Sequence, residues 1–427
     1  MILSGLALLL MVLLGAPLFA VIAASTLLAF SRTEVDLTVV IIEVYRLAEM
    51  PVLLAIPLFT FAGYLLAESH APRRLVRITN ALLGWLPGGL AAVVLVVCAL
   101  FTAFTGASGI TIVALGALLY PALKQAGYPE RFNLGLITTS GSIGLLFAPS
   151  LPLILYSVVA QQLNIGQPVA INDLFIAGIL PGILIIALLA IWSLWQRRSH
   201  AIPQAAFSVH EALAAVREAA WELPLPVIVL GGIYSGFFAV SEAAAVTALY
   251  VLIVEVFIHR EIRLSDLPKV MRESMVLVGA ILIVLGMSLA STNYLLDAEV
   301  PAQLFTFIRE HVDGRVGFLL LLTLFLLVLG MMLDIFSALV IMVPLMLPIA
   351  IGYGIHPVHF GIIFLATMEI GYLLPPVGMN LFIASYRFNR PVLEIFRAVL
   401  PFIAILIVAV LIITYWPWLS LGLLGYR

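Results

Sequence analysis

The chain has 427 residues, of which 64% are hydrophobic and only 10% charged, and its formal net charge is -2. Ordinary soluble domains are about 45–50% apolar and about 25% charged, so this excess of apolar surface has to face lipid and a water-soluble globule is excluded. The slightly acidic balance argues against nucleic acid as a partner. At about 20 apolar residues per crossing there is room for about ten or more membrane segments.

In chain order, residues 4–30 read as one long apolar run, a retained helix rather than a cleaved signal because no basic stretch precedes it. Residues 38–50 carry Glu43, Arg46 and Glu49 at helical spacing before Pro51. With the run to Ala67 they read either as one bent span or as a surface helix plus a span. Residues 72–83 are basic and amphipathic, which suits a membrane surface. Residues 88–120 are apolar but interrupted at Thr105-Gly106-Ala107-Ser108-Gly109. Residues 132–160 are interrupted at Ser140-Gly141-Ser142 and Pro149-Ser150-Leu151-Pro152. A plain span at 173–195, Arg197 and Arg198, and a short amphipathic helix at 208–221 follow. Residues 224–258 read as two spans meeting near Val240-Ser241-Glu242, where Glu242 suits a helix cap, and another span reaches Leu296.

The pattern then returns. Residues 300–312 are amphipathic. Residues 316–350 are apolar and interrupted near Gly330-Met331-Met332-Leu333-Asp334, and 360–385 are interrupted at Gly371 and Pro375-Pro376-Val377-Gly378. A last span covers 392–416. A constant shift of 227 positions places Pro121 on Pro348, Gly127 on Gly354, Gly144 on Gly371, Leu146 on Leu373 and Pro149 on Pro376. Helix breakers in register, in elements of like order, mark an internal repeat.

Each limb of 88–120 and 316–350 holds about 16 residues, or about 24 Å of helix, short of the roughly 30 Å of hydrocarbon. Both therefore read as re-entrant hairpins, and 132–160 and 360–385 as crossings broken midway. This places Arg73, Arg74, Arg77, Lys124, Arg131, Arg197, Arg198, Arg260, Arg263, Lys269, Arg272, Arg387 and Arg390 on the cytoplasmic face, as the positive-inside rule requires. The alternative, with 88–120 crossing and 132–160 as the hairpin, sends Lys124 and Arg131 outside. The preferred topology makes the two repeats inverted. The expected fold is an all-α polytopic bundle with two re-entrant hairpins and two broken helices. Its parts are scaffold helices in 1–71 and 196–298 and repeats in 72–195 and 299–427.

Paired broken segments in two halves point to a transport site at the midplane. Backbone groups freed at such depth need protein, water or ligand partners. Carbonyl and hydroxyl oxygens suit a small cation, and free helix N-termini suit a carboxylate. Thr105, Ser108, Thr111, Ser140 and Ser142 in one half, and Asp334, Ser337 and Thr367 in the other, offer such groups, although Ser, Thr and Gly also serve close helix packing. Asp334 is the sharpest residue, as a solute or ion ligand or as a structural partner, because a carboxylate at depth is costly. Glu369 reads as an interior group or an ion-pair partner. His356 and His359 lack companions for a metal site, and Cys98 stands alone in an apolar run. No phosphate-cradling loop and no hydrolase motif occurs, which argues against ATP as the direct energy source; a membrane enzyme would need a catalytic dyad at the breaks.

Segment 56–90 (IPLFTFAGYLLAESHAPRRLVRITNALLGWLPGGL) resembles the large membrane subunit of tripartite ATP-independent periplasmic (TRAP) transporters. So do 141–157 (GSIGLLFAPSLPLILYS), 231–246 (GGIYSGFFAVSEAAAV), 330–348 (GMMLDIFSALVIMVPLMLP) and 375–385 (PPVGMNLFIAS). The resemblance implies a Na⁺-coupled elevator in the bacterial inner membrane. It would import an organic acid with a small four-helix membrane subunit and a periplasmic substrate-binding protein. It places Na⁺ between each hairpin tip and the adjacent broken helix: Thr105, Gly106, Ser108, Ser140 and Gly144 in the first half, and Gly330, Asp334, Met368, Gly371 and Pro375 in the second. Candidate solute ligands are Ser108, Ser150, Asp334 and Asn380. A stand-alone sodium/dicarboxylate carrier of related architecture is the alternative.

Overall fold

Glycine and proline decide where the helices stop in the computed structural model, which describes residues 2–32, 36–86, 89–197, 207–312 and 314–425. Arg198 and position 88 lie outside these. The first apolar run is not one helix. Gly15 takes a positive φ of 75° and Pro17 follows, so the run divides into α1 (Ile2–Leu13) and α2 (Leu18–Arg32). The next segment divides at Pro51 into the short α3 (Thr38–Arg46) and α4 (Ala55–Glu68), which favours the surface-helix alternative.

The amphipathic α5 (Ala71–Leu83) leads into a hairpin of α6 (Gly89–Thr105) and α7 (Ser108–Gln125). The following crossing breaks into α8 (Glu130–Ser140), a 3-10 turn at Ile143–Leu146 and α9 (Leu151–Gln162), with a bend of 41°. Two stacked segments, α10 (Ile171–Ala177) and α11 (Ile179–Arg197), make the next span, and α12 (Val209–Glu218) is the short amphipathic helix expected there.

Residues 224–258 differ from expectation. α13 (Pro224–Tyr234) has only 11 residues, about 16 Å of helix and too short for a crossing. The chain turns at Gly236 (φ 72°), and Val240-Ser241-Glu242 is the first turn of α14 (Val240–Leu252), not the junction. The Glu242 carboxylate accepts the Ala239 N–H at 2.9 Å, the helix-capping role the sequence suggested. A π-helical stretch to Ile258 completes one span with α14.

A 31-residue α15 (Leu267–Asp297) then leads to α16 (Val300–His311), the second hairpin α17 (Gly314–Gly330) and α18 (Ile335–Gly352), and the second broken crossing α19 (Pro357–Gly371) and α20 (Met379–Phe388). α21 (Val392–Tyr415) and the short α22 (Trp418–Leu421) end the chain. Among the described residues six helices are long and apolar enough to cross a membrane, fewer than composition alone suggested. Much remaining apolar sequence lies in shorter helices such as α6, α13 and α19. The hairpin limbs hold 17 or 18 residues, about 26–27 Å, which is marginal against the hydrocarbon, and of the four only α18 is counted among the six.

The repeat is structural. Adding 227 carries α7 onto the full span of α18, and the first residue of α8 onto that of α19. It also carries the cis bond before Pro149 onto the cis bond before Pro376. α7 packs on α20 while α18 packs on α9, the exchange of partners that a two-fold relation produces. One contact repeats residue for residue. A Cβ on Gly371 would lie 2.5 Å from the Gly330 backbone, and one on Gly144 would lie 2.7 Å from the Ala103 backbone N and 2.2 Å from the Ala99 carbonyl. Since 144 + 227 = 371 and 103 + 227 = 330, the hairpins meet their broken helices at the same point. Gly371→Ala and Gly144→Ala are each expected to cost about 1–3 kcal/mol, through backbone that has to shift to admit a methyl group. Thermal unfolding of the detergent-solubilised protein checks this. Gly279→Ala, where a Cβ meets nothing within 4 Å, serves as the neutral comparison.

Candidate functional site

Both hairpin tips open on one cavity of about 800 Å³. Gly106 to Ile110 of the first tip and Asp334 to Ser337 of the second line it, with Leu145 and Tyr372, themselves a pair at the repeat spacing, from the broken helices. Tyr64 and Glu68 of α4 and Glu273 of α15 complete the lining. Small-molecule sites fall within roughly 300–1,000 Å³, so a small organic solute fits.

The two tips differ at one decisive position. Asp334 precedes α18, and its Oδ1 accepts the N–H groups of Phe336 and Ser337, both at 3.0 Å. The Ile335 N–H donates to the Tyr372 hydroxyl at 2.6 Å. The start of α18 is therefore satisfied from within. The equivalent position before α7 is Ala107, which offers no side-chain acceptor, so the first N–H groups of α7 face the cavity uncapped. At that open end the Ser108 hydroxyl donates to Asn380 Oδ1 at 2.7 Å, and the fully buried Asn380 leaves Nδ2 without a partner. A helix N-terminus with a spare amide donor beside it suits a carboxylate. The structure thus brings Ser108 and Asn380 together, with Ser108 on the cavity lining and Asn380 fully buried and outside it. Asp334 lines the same cavity as a helix cap that acts through Oδ1.

Ser150 lies apart from the cavity lining. Its hydroxyl, like that of Thr105, is buried and unpartnered. The two chain segments adjoin, since a Cβ on Gly106 would meet Leu151 at 2.5 Å. Ser140 donates back to the Leu136 carbonyl at 2.7 Å and retains a lone pair. Gly144 is held against α6, as described above. Thr105 and Ser150 thus place two unpartnered buried hydroxyl oxygens on adjoining segments beside broken backbone. In the second half the tip and the broken helix are tied directly, the Val377 N–H donating to the Met331 carbonyl at 3.2 Å. Met368 and Gly371 are buried there and Pro375 is exposed. Glu369 faces the interior with Oε1 unpartnered, not an Arg.

His359 binds Ser420 and the Thr414 carbonyl, and His356 binds Gln167 and the Val358 N–H. Away from the cavity, a feature absent from the sequence reading joins distant segments. Arg74 of α5 is 5% exposed, and its guanidinium meets Glu222 at 2.5 Å, Glu261 at 2.5 Å and Glu255 at 3.2 Å. Burial works against ionisation of Glu261, but hydrogen bonds from Arg74 and the His70 N–H prevail and hold its carboxyl below the usual range. The helix expected to lie on a surface thus turns its central arginine inward, while Arg77 pairs outward with Glu211 and Glu218 of α12.

The family model described as tripartite ATP-independent periplasmic transporter, DctM component, matches residues 5–419. The C4-dicarboxylate TRAP transporter large permease protein DctM of Pseudomonas aeruginosa is 36% identical over 94% of this chain and 92% of its own length. The ectoine/5-hydroxyectoine TRAP transporter large permease protein UehC of Ruegeria pomeroyi is 31% identical over 97% and 96%. The crystal structure of the Alcanivorax borkumensis YdaH transporter aligns with a TM-score of 0.66 at 16% identity, over 90% of this chain and 88% of that one, and so shares the fold. Together with the paired hairpins and broken helices, these matches show that the chain belongs to the DctM family, the large permease component of tripartite ATP-independent periplasmic transporters.

Proposed function

We propose that this chain is the solute-translocating subunit of a sodium-coupled importer of carboxylate-bearing solutes in the bacterial inner membrane, working with a small four-helix membrane subunit and a periplasmic binding protein. The observation that carries the reading is the difference between the tips. The uncapped start of α7, where Ser108 is held by the buried Asn380, would seat a carboxylate on a cavity bounded by both hairpins. Thr105 and Ser150 would supply oxygen ligands to Na⁺ nearby, so that ion and solute settle on adjoining segments. The hairpin tips form one group of segments lining the cavity and α4 with α15 another. Sliding of the first group past the second would expose the solute to each side in turn.

The inward sodium gradient and the membrane potential, the latter worth about 2.3 kcal/mol per net charge per 100 mV, would drive uptake. Proteoliposomes holding the chain, its small subunit and the loaded binding protein are expected to accumulate the ligand of that binding protein at least about tenfold faster once inward Na⁺ is imposed, equivalent to about 1.4 kcal/mol in effective barrier. Uptake that survives sodium removal contradicts the coupling. Uptake that is equal without the binding protein and small subunit favours a stand-alone carrier.

A further inference from the structure

Near the cytoplasmic end of α21 one charge interrupts a lipid-facing surface. The exposed stripe of this helix runs through Leu393, Arg397, Leu400, Ala404 and Ile407, and all of these but Arg397 are apolar. Pro401 follows Arg397 by one turn and has no N–H, which leaves the Arg397 carbonyl without its helical donor. Arg131, in the first turn of α8, takes that place, its Nε and Nη2 donating to the Arg397 carbonyl at 3.2 and 2.7 Å. One turn further along α8 the two helices are in close contact. A Cβ on Gly135 would lie 2.3 Å from the Ala398 carbonyl, and the Phe132 and Phe402 rings stand 5.7 Å apart. The acids nearest to the two arginines in the chain are already engaged. Arg390 meets both Glu130 and Glu394, the latter at 4.0 Å, and the Tyr120 hydroxyl donates to Glu130 at 2.8 Å. Among the described residues neither Arg131 nor Arg397 has an ion-pair partner. Two like charges are therefore held together at the membrane surface with no anion between them.

We propose that Arg131 and Arg397 hold the phosphate headgroup of an anionic phospholipid whose acyl chains lie along the apolar stripe of α21. A guanidinium presents a planar fork that matches phosphate oxygens, and its long stem lets the charge reach headgroup level from within the helix. The Lys/Arg pattern puts this end of α8 and α21 on the cytoplasmic face, where anionic lipids attract basic side chains. A soluble phosphate would satisfy the arginines but not Leu393 and Leu400 on either side of Arg397, which favours the lipid. Neither arginine lines the cavity between the hairpin tips, so the lipid site is separate from it.

Titration of phosphatidylglycerol and phosphatidylcholine into the purified full-length chain in nonionic detergent, with bound lipid counted by native mass spectrometry, tests this. Wild type is expected to bind one phosphatidylglycerol at least about tenfold more tightly than phosphatidylcholine. Arg397 is exposed and outside every ion pair among the described residues, so Arg397→Gln is expected to unfold at the wild-type temperature. The same variant is expected to bind phosphatidylglycerol about fivefold more weakly, with phosphatidylcholine unchanged. Arg397→Lys keeps the charge and is expected to recover part of that loss. The double variant Arg131→Gln, Arg397→Gln is expected to lose the preference between the two lipids. Arg263→Gln, at another exposed arginine, is expected to bind both as wild type does. A preference that survives in the double variant overturns the proposal. So does an equal loss in Arg263→Gln, which makes the effect one of diffuse surface charge. Displacement of the lipid by an equal concentration of inorganic phosphate makes this a soluble-anion site and overturns the lipid assignment.

Discussion

Asp334→Asn is expected to fold and insert like wild type and to lose uptake by roughly 30- to 1,000-fold, the consequence of removing about 2–4 kcal/mol of charge interaction at a desolvated site. The prediction is sharp because the two roles of Asp334 separate. Its Oδ1 caps α18 by accepting the Phe336 and Ser337 N–H groups, and an asparagine carbonyl does the same at little cost. The negative charge facing the cavity is what asparagine removes. Asp334→Ala removes both and is expected to add a stability loss of about 1 kcal/mol, the usual cost of a missing cap. Uptake in proteoliposomes, normalised to inserted protein, and thermal unfolding of the same preparations decide between them. If Asp334→Asn transports normally while Asp334→Ala fails in proportion to lost folded protein, Asp334 is a cap and nothing more.

Arg74→Ala is expected to destabilise the protein by about 3–5 kcal/mol, since it strands buried carboxylates without their shared cation. Glu222 and Glu255 are 4% and 0% exposed, and Glu261 closes the set from the loop after the π-helical stretch. His70 and His259 stand near the cluster, at 3.2 Å from Glu261 and 3.7 Å from Glu222, but neither replaces a guanidinium that addresses three carboxylates at once. Arg74→Lys is expected to recover only part of the loss, because an ammonium lacks the planar fork. Heating followed by size-exclusion chromatography reads the effect. An Arg74→Ala protein that stays monodisperse to the wild-type temperature would contradict it. The same cluster ties α5, which leads into the first hairpin, to the end of the α14 span.

Much of this architecture is legible in the sequence because membrane helices announce their breaks. Thr105 to Gly109 and Gly330 to Asp334 interrupt apolar runs with residues that lipid does not tolerate, and the constant 227-residue shift pairs them. The structure places both helix starts, Ser108 and Ile335, on that shift. Asp334 as a cap was within reach of the same reasoning, since an aspartate before an apolar helical run is a start signal. The break at Gly15 and Pro17 was equally written in the sequence, yet hydropathy alone runs straight through it. Two features left no local trace. Arg74 gathers partners 148 to 187 positions away, and its basic, amphipathic helix reads as a surface element until the carboxylates are seen to converge. Glu68 and Glu273 lie near helix ends among other charges, and only the fold brings both to the lining of one cavity.

On the proposed transport cycle this cavity opens to the two sides of the membrane in turn. The single cysteine, Cys98, is buried, so Cys98→Ser provides a clean background for a cysteine at Ala107 on the first hairpin tip. Labelling of Ala107→Cys by a membrane-impermeant thiol reagent, in right-side-out and inside-out vesicles, is the most direct measurement. The account predicts labelling from either side, with sodium and solute shifting the balance between the two. Labelling from one side only, at a rate that sodium and solute leave unchanged, would contradict it.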